Sequence, residues 1–352
     1  MKLRFFLAIP AFLAGILLAI PIILLGLPFW LVAFVTNAIR RLWAPKALPW
    51  QRIIEFDSYV GWKPKANVDS YGIADEPFQF TTDSDGWRGK RSLAESQIVV
   101  FGDSFGFGYG VDDKQMFTEK VPSLKVKSIG APGYNMVQEL LLMRSLAPRL
   151  SGKLVVWFVF LGNDVYENLM PDMKGYRTPF LRYLRHTGDW EIVTWHVNNT
   201  AWAYTSRRRN YQEILGWLCR PGAFSDRAFS ACEYLIEAAV ETCANAGARL
   251  AIMTIPDVTQ LSRKGLRLLS AGDDDSDLCD PDLPDRRLAA ICRGLRVPFV
   301  AAKEFLNEKH HKTGDVHWNP RGHQRVAKIL AGIYQDYLSG KFAQRALRRK
   351  IG

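Results

Sequence analysis

Ser104, Gly133, Asn163, Asp315 and His317 are spread along the chain, and together they carry the groups that acyl transfer through a serine needs. A serine hydroxyl is a weak nucleophile until a base takes its proton. Imidazole titrates near neutral pH and suits that task, so His317 is the candidate base. Asp315 precedes it by two residues. In an extended loop such residues point the same way, and the carboxylate can then fix the tautomer and stabilise the imidazolium. The oxyanion of a tetrahedral intermediate needs aimed donors. The backbone N–H groups of Ser104 and Gly133 and the side-chain amide of Asn163 are the natural set. Glycine at 133 lets the backbone come close to a substrate.

Each stretch is weak alone. Gly102-Asp103-Ser104 by itself reads as a strand, a turn and a solvated serine. His323 is an alternative base, but it falls inside a helix opened by Asn319 as N-cap and Pro320 at the first position, which suits packing behind the site. Asp315, His317 and His323, with His310 or His311, also have metal-ligand chemistry. A metal there would leave the serine and its oxyanion donors unexplained, so no metal or cofactor is expected. Asp103 and Asp164 are expected to fix turns by bonding nearby backbone. The acidic run Asp273–Asp277 lacks the spaced glycine and terminal glutamate of a calcium loop and reads as solvated. The five cysteines are odd in number and include no Cys-x-x-Cys pair. They argue against a zinc site or a dense disulfide framework, and most read as small buried apolar residues. One or two bridges fit only a domain outside the cytoplasm.

Apolar runs at 98–101, 126–129, 154–161, 250–255 and 297–300 read as five strands. Helical spacing marks 114–121, 136–146, 229–246, 286–293 and 320–337. Strands alternating with helices imply a parallel sheet covered on both faces, and such sheets gather their ligands at the carboxyl ends of the strands. That edge would collect Ser104, Gly133, Asn163 and the Asp315–His317 loop. The expected domain, 97–338, follows a β-rich lead-in at 46–96 and precedes a basic tail at 339–352. An insertion at about 166–225, rich in tryptophan and arginine, reads either as a lid over the site or as a peripheral helical insertion.

The formal net charge is +11. No nucleic-acid module accompanies it, so anionic lipid is the more natural neighbour. From Phe5 to Ile39 there is no charged residue, a run longer than the ~20 residues that span a bilayer and longer than a signal-peptide core. Residues 1–45 are expected to form a membrane anchor with a single transmembrane helix, a re-entrant hairpin turning at 26–28 being the other geometry. Basic residues flank both ends, so the positive-inside rule gives no vote. Analogy with anchored surface hydrolases puts the domain outside the cytoplasm.

The stretches Gly-Asp-Ser-Phe-Gly-Phe-Gly-Tyr-Gly-Val, Gly-Ala-Pro-Gly-Tyr-Asn and Gly-Asn-Asp, followed by Asp315-Val316-His317-Trp318, resemble the SGNH/GDSL hydrolase superfamily over roughly residues 97–335. Ser104, Gly133, Asn163 and His317 match its four signature residues in order. The resemblance implies a flavodoxin-like three-layer α/β/α sandwich and a serine esterase or related acyltransferase. The family's usual acid lies three residues before the histidine, where this chain has Gly314. Asp315 instead resembles the Asp-x-His-Trp pattern of membrane- and envelope-associated acetyltransferase relatives that modify polysaccharides. The expected substrate is therefore an acylated carbohydrate or a small ester, and transfer would call for a membrane acyl-donor protein. A membrane-surface lipase or phospholipase, and a non-catalytic glycan-binding relative, are the alternatives.

Overall fold

The computed structural model describes Val35 and residues 53–74, 76–173, 176–197, 211–270 and 279–341. The chain divides into two compact units, Met1–Lys46 and Ala47–Gly352. The expected membrane anchor lies outside the described residues, Val35 apart, as do the acidic run at 273–277 and most of the basic tail. Among the described residues, no helix is long and apolar enough to cross a membrane.

The larger unit opens with two antiparallel pairs, β1 (Ile54–Asp57) with β2 (Gly61–Pro64) and β3 (Asp69–Ile73) with β4 (Pro77–Thr81). The central sheet then begins with β5 (Ile98–Gly102), which runs into the single helical turn α1 (Ser104–Phe107). Next come β6 (Val126–Gly130), α2 (Met136–Leu146), β7 (Leu154–Phe160) and the turn α3 (Asp164–Glu167). The insertion carries β8 (Asp172–Met173), β9 (Tyr176–Arg177), β10 (Phe180–Leu184), β11 (Asp189–Val193) and α4 (Tyr211–Leu218). The chain closes with α5 (Ala223–Asn245), β12 (Arg249–Ile255), α6 (Arg263–Ser270), α7 (Leu283–Gly294), β13 (Phe299–Ala301) and α8 (Pro320–Leu338).

The five-stranded sheet has the order β13-β12-β7-β5-β6, and every pairing in it is parallel. Read from β6, this is the 2-1-3-4-5 order of flavodoxin-like sheets, whose ligands sit where the order reverses. That switch point lies at the carboxyl end of β5, next to Ser104.

Alternate residues of the central strands feed different cores, as a period of two requires. Val99, Phe101, Val155, Trp157 and Val159 pack with α2, α5 and α7. Ile98, Val100, Val156, Phe158 and Phe160 pack with α8 on the opposite face. All seven residues of β7 are buried, which explains its unbroken apolar run. Ile53, Trp62, Phe78, Phe80 and Trp87 of the lead-in belong to the first core, so the lead-in shares the main domain's interior.

Three expectations shift. The helix expected at 114–121 is two 3₁₀ turns, Asp113–Gln115 and Phe117–Glu119, because Met116 between them is extended (φ −68°, ψ 150°). The insertion is not purely helical: β10 and β11 form a hairpin, turned at Gly188 with φ +81°. Helix α5 starts at Ala223, six residues before its expected start at Phe229.

Candidate active site

Ser104 opens α1, and Asp103 caps that turn by accepting the Phe105 N–H at 2.8 Å. The Ser104 N–H sits at a first helical position, where no carbonyl of the turn can reach it. Close packing fixes the approach: β5 and β6 pair through Gly102 and Gly130, and a Cβ on Gly130 would lie 2.0 Å from the Gly102 carbonyl oxygen. Any other residue there would push away the strand end that leads to Ser104.

His317 comes from 213 residues downstream of Ser104. His317 Nε2 lies 2.8 Å from Ser104 Oγ. Its Nδ1 lies 2.7 Å from Asp315 Oδ1, which also accepts the His317 backbone N–H at 3.1 Å. With Nδ1–H donating to the carboxylate, Nε2 is left to accept the serine proton. Burial pushes the Asp315 carboxyl up, but the hydrogen bonds from the His317 ring and backbone outweigh it and hold the pKa down at about 2. The imidazole is held between the rings of Phe105 and Tyr109, at centroid distances of 5.1 and 4.9 Å. His311 holds the loop, its Nδ1 lying 2.7 Å from the Val316 carbonyl.

The sheet order puts β6 and β7 on either side of β5, so the loops holding Gly133 and Asn163 flank Ser104. Gly133 has φ +83°, a conformation glycine adopts without the Cβ penalty. Asn163 caps α3, and its side-chain N–H donates to Glu167 Oε2 at 3.0 Å. An amide nitrogen has two hydrogens. One is committed to Glu167.

Asp164 and Asp103 behave as expected of turn-fixing residues: Asp164 Oδ2 accepts the Phe160 N–H at 2.7 Å. Asp103 Oδ2 also lies 3.3 Å from Ser104 Oγ. Burial pushes the carboxyls of Asp103, Asp164 and Glu139 up, the last two strongly. His323 is buried behind the site, its Nδ1 accepting the Phe117 N–H at 3.3 Å, and burial drives its pKa well down. It therefore stays a neutral packing group away from Ser104 Oγ. Among the described residues, no group of three His, Cys, Asp or Glu side chains could hold a metal ion.

Several supporting residues escaped the sequence reading. Arg88, from the lead-in, is 2% exposed. It donates to the carbonyls of Phe107, Gly108 and Val111 and pairs with Asp113 at 2.8 Å. It thus holds the loop that carries Tyr109 against the base. Lys127 on β6 is 1% exposed and binds the carbonyls of Trp87, Arg88 and Gly89 and the Asp83 carboxylate. A sequence pattern does not show that a lone cation is buried. The Asn163–Glu167 spacing of four residues was readable, since such pairs meet on a helical turn.

No protein-family model matches the chain, and no curated protein does. Similar solved structures include a GDSL-like lipase from Bacteroides thetaiotaomicron, 14% identical, covering 71% of this chain and 92% of that one at a TM-score of 0.38. A carbohydrate acetylesterase from Sinorhizobium meliloti is 11% identical, covering 69% and 100% at 0.39. A psychrotrophic esterase from Pseudoalteromonas is 10% identical, covering 69% and 98% at 0.39. Likenesses this distant carry no functional weight for this chain.

Proposed function

We propose that this chain is a serine esterase or O-acyltransferase of the SGNH/GDSL kind, working through an acyl-enzyme on Ser104. One observation carries the reading: the unbroken contact from Ser104 Oγ to His317 Nε2 (2.8 Å) and from His317 Nδ1 to Asp315 Oδ1 (2.7 Å). Ser104 Oγ attacks the ester carbonyl as its proton passes to His317 Nε2. Asp315 stabilises the resulting imidazolium. The N–H groups of Ser104 and Gly133 and the second amide hydrogen of Asn163 receive the oxyanion. His317 then protonates the departing alcohol, leaving the acyl group on Ser104. Water in the second half-reaction gives hydrolysis, and a sugar hydroxyl gives transfer.

A polar alcohol portion suits the surroundings. A cleft of about 460 Å³ lies beside the loop of His317, lined by Glu76, Gln115, Lys312 and Thr313 together with Phe78 and Val111. Its polar groups hydrogen-bond hydroxyls and favour a carbohydrate over a long alkyl chain. The charge-free run from Phe5 to Ile39 supports a membrane-anchored enzyme. A reporter fused to the carboxyl end tests the proposed extracytoplasmic side.

The deciding experiment gives the purified chain an O-acetylated oligosaccharide with and without an unacetylated acceptor. Acetate release, acetyl transfer or both should be lost in Ser104→Ala and His317→Ala. Turnover that survives Ser104→Ala would remove the reading. A second reading, an enzyme acting at lipid surfaces, is favoured by Trp195, which is 78% exposed on the insertion. It requires activity that climbs on aggregated long-chain esters and is absent on acetylated sugars.

A further inference from the structure

Cys219 and Cys279 are sixty positions apart in sequence, yet their backbones run side by side. The Asp280 N–H donates to the Cys219 carbonyl at 2.8 Å. Cys279 Sγ points at the Leu269 carbonyl, 3.5 Å away, and Arg220 reaches that same carbonyl at 3.4 Å. The end of α4, the end of α6 and the approach to α7 thus meet at one point. There burial, with Cys279 close by, pushes the Cys219 thiol up. Both are free, Cys219 buried and Cys279 half-buried. A disulfide requires Cα atoms about 4.4–6.8 Å apart. The bond from the Asp280 N–H to the Cys219 carbonyl brings Cys279, the residue before Asp280, alongside Cys219.

We infer that Cys219 and Cys279 are a redox pair, closed to a disulfide by thiol–disulfide exchange with a small soluble disulfide such as oxidised glutathione. The half-buried Cys279 attacks first. Its thiolate displaces one glutathione thiolate and forms a mixed disulfide. Cys219 then attacks the Cys279 sulfur and expels the second glutathione, whose departing thiolate takes up the Cys219 proton. Two protein thiols are oxidised and one glutathione disulfide is reduced to two thiols. The other cysteines stand apart from this chemistry. Cys232, Cys243 and Cys292 are buried, and burial pushes their thiols up, to about 12 for Cys243 and Cys292. Burial pushes the Cys219 thiol up as well, so the half-buried Cys279 alone is open to an oxidant in solution.

The bridge would fasten the last helix of the insertion to the main domain. The bracing continues through α6, where a Cβ on Gly265 would lie 2.3 Å from Thr259 Cα, so α6 sits directly on the turn that follows Asp257. Closing so long a loop restricts the unfolded chain and should raise the melting temperature by several degrees.

The test oxidises the full chain with oxidised glutathione while folded, then denatures it, alkylates free thiols and maps its peptides by mass. Three alkylated cysteines and one linked pair, Cys219 with Cys279, are expected, with a higher melting temperature than the reduced protein. Cys219→Ala should accumulate glutathione on Cys279, and Cys279→Ala should leave Cys219 a free thiol. Five alkylated cysteines after oxidation of the folded wild type, or a bridge between any other two, would overturn the inference. The wild-type map alone decides it, whether or not either variant folds.

Discussion

Replacing Asp315 by asparagine removes a charge while keeping the side chain's shape. The Asn carbonyl oxygen can still accept the His317 backbone N–H, now bonded to Asp315 Oδ1 at 3.1 Å, so the loop should hold. What disappears is the attraction between the carboxylate and the imidazolium formed as Ser104 attacks. Nδ1 and Oδ1 are 2.7 Å apart, which puts the charge centres about 4 Å from each other. The pair is partly solvated, with side chains 16% and 19% exposed, so an effective dielectric of about 20 applies and the attraction is about 4 kcal/mol. At about 1.4 kcal/mol per decade, kcat should fall roughly a thousandfold, with KM little changed because the interaction strengthens only in the transition state. Steady-state hydrolysis of an aryl acetate gives both constants. A fall in kcat of less than tenfold would refute the electrostatic role. Stability supplies a second readout. Asp315 is held at about 2 in the folded chain against about 3.9 unfolded. Its contribution is therefore present above pH 4 and is lost as pH falls through 2. The variant should melt slightly lower than wild type at pH 6, and the difference should close towards pH 2.

Other substitutions probe the donors, the buried acids and the lead-in. Asn163→Ala should lower kcat by about a hundredfold or more with KM nearly unchanged, and a change confined to KM would assign Asn163 to ground-state binding. Glu139→Gln tests the buried acid whose carboxyl is pushed well up by burial. Because the folded state holds that proton more tightly than the unfolded one, wild-type stability should fall as pH rises above about 4.3, by up to about 1.4 kcal/mol per unit. The glutamine variant, which keeps an acceptor for Trp157, should give a flatter melting curve from pH 5 to 8, and parallel curves would contradict the assignment. Arg88→Ala leaves Asp113 and several loop carbonyls without their cation, and urea denaturation should show a loss of about 3–5 kcal/mol. A loss below about 1 kcal/mol would mean that the lead-in does not hold the Tyr109 loop.

The sheet was legible because its strands are buried on both faces. Ile98–Phe101 and Leu154–Phe160 read as apolar runs, and such strands need no turn chemistry to be recognised. The convergence of Ser104 with His317 followed from one rule, that parallel strands deliver their carboxyl ends to one edge. The 114–121 segment was misread because helical spacing says nothing about Met116, whose extended backbone breaks the run into two turns. The insertion hairpin was missed because β10 and β11 bury only Leu181 and Val193 fully, too few to mark a period of two. Arg88 and Lys127 were invisible for a different reason. A sequence pattern assigns charges to solvent, whereas these two are buried by the carbonyls they satisfy. Gly133 was chosen for closeness of approach, and its positive φ adds a second reason for glycine.

Ser104 as the nucleophile is tested most directly by covalent labelling. Wild-type protein treated with a fluorophosphonate, then digested and mapped by mass, should carry the phosphonyl group on Ser104 alone. Labelling should slow about a thousandfold in Asp315→Asn and vanish in Ser104→Ala. Labelling at another residue, or an unlabelled wild type under conditions that modify a known serine esterase fully, would contradict the central claim.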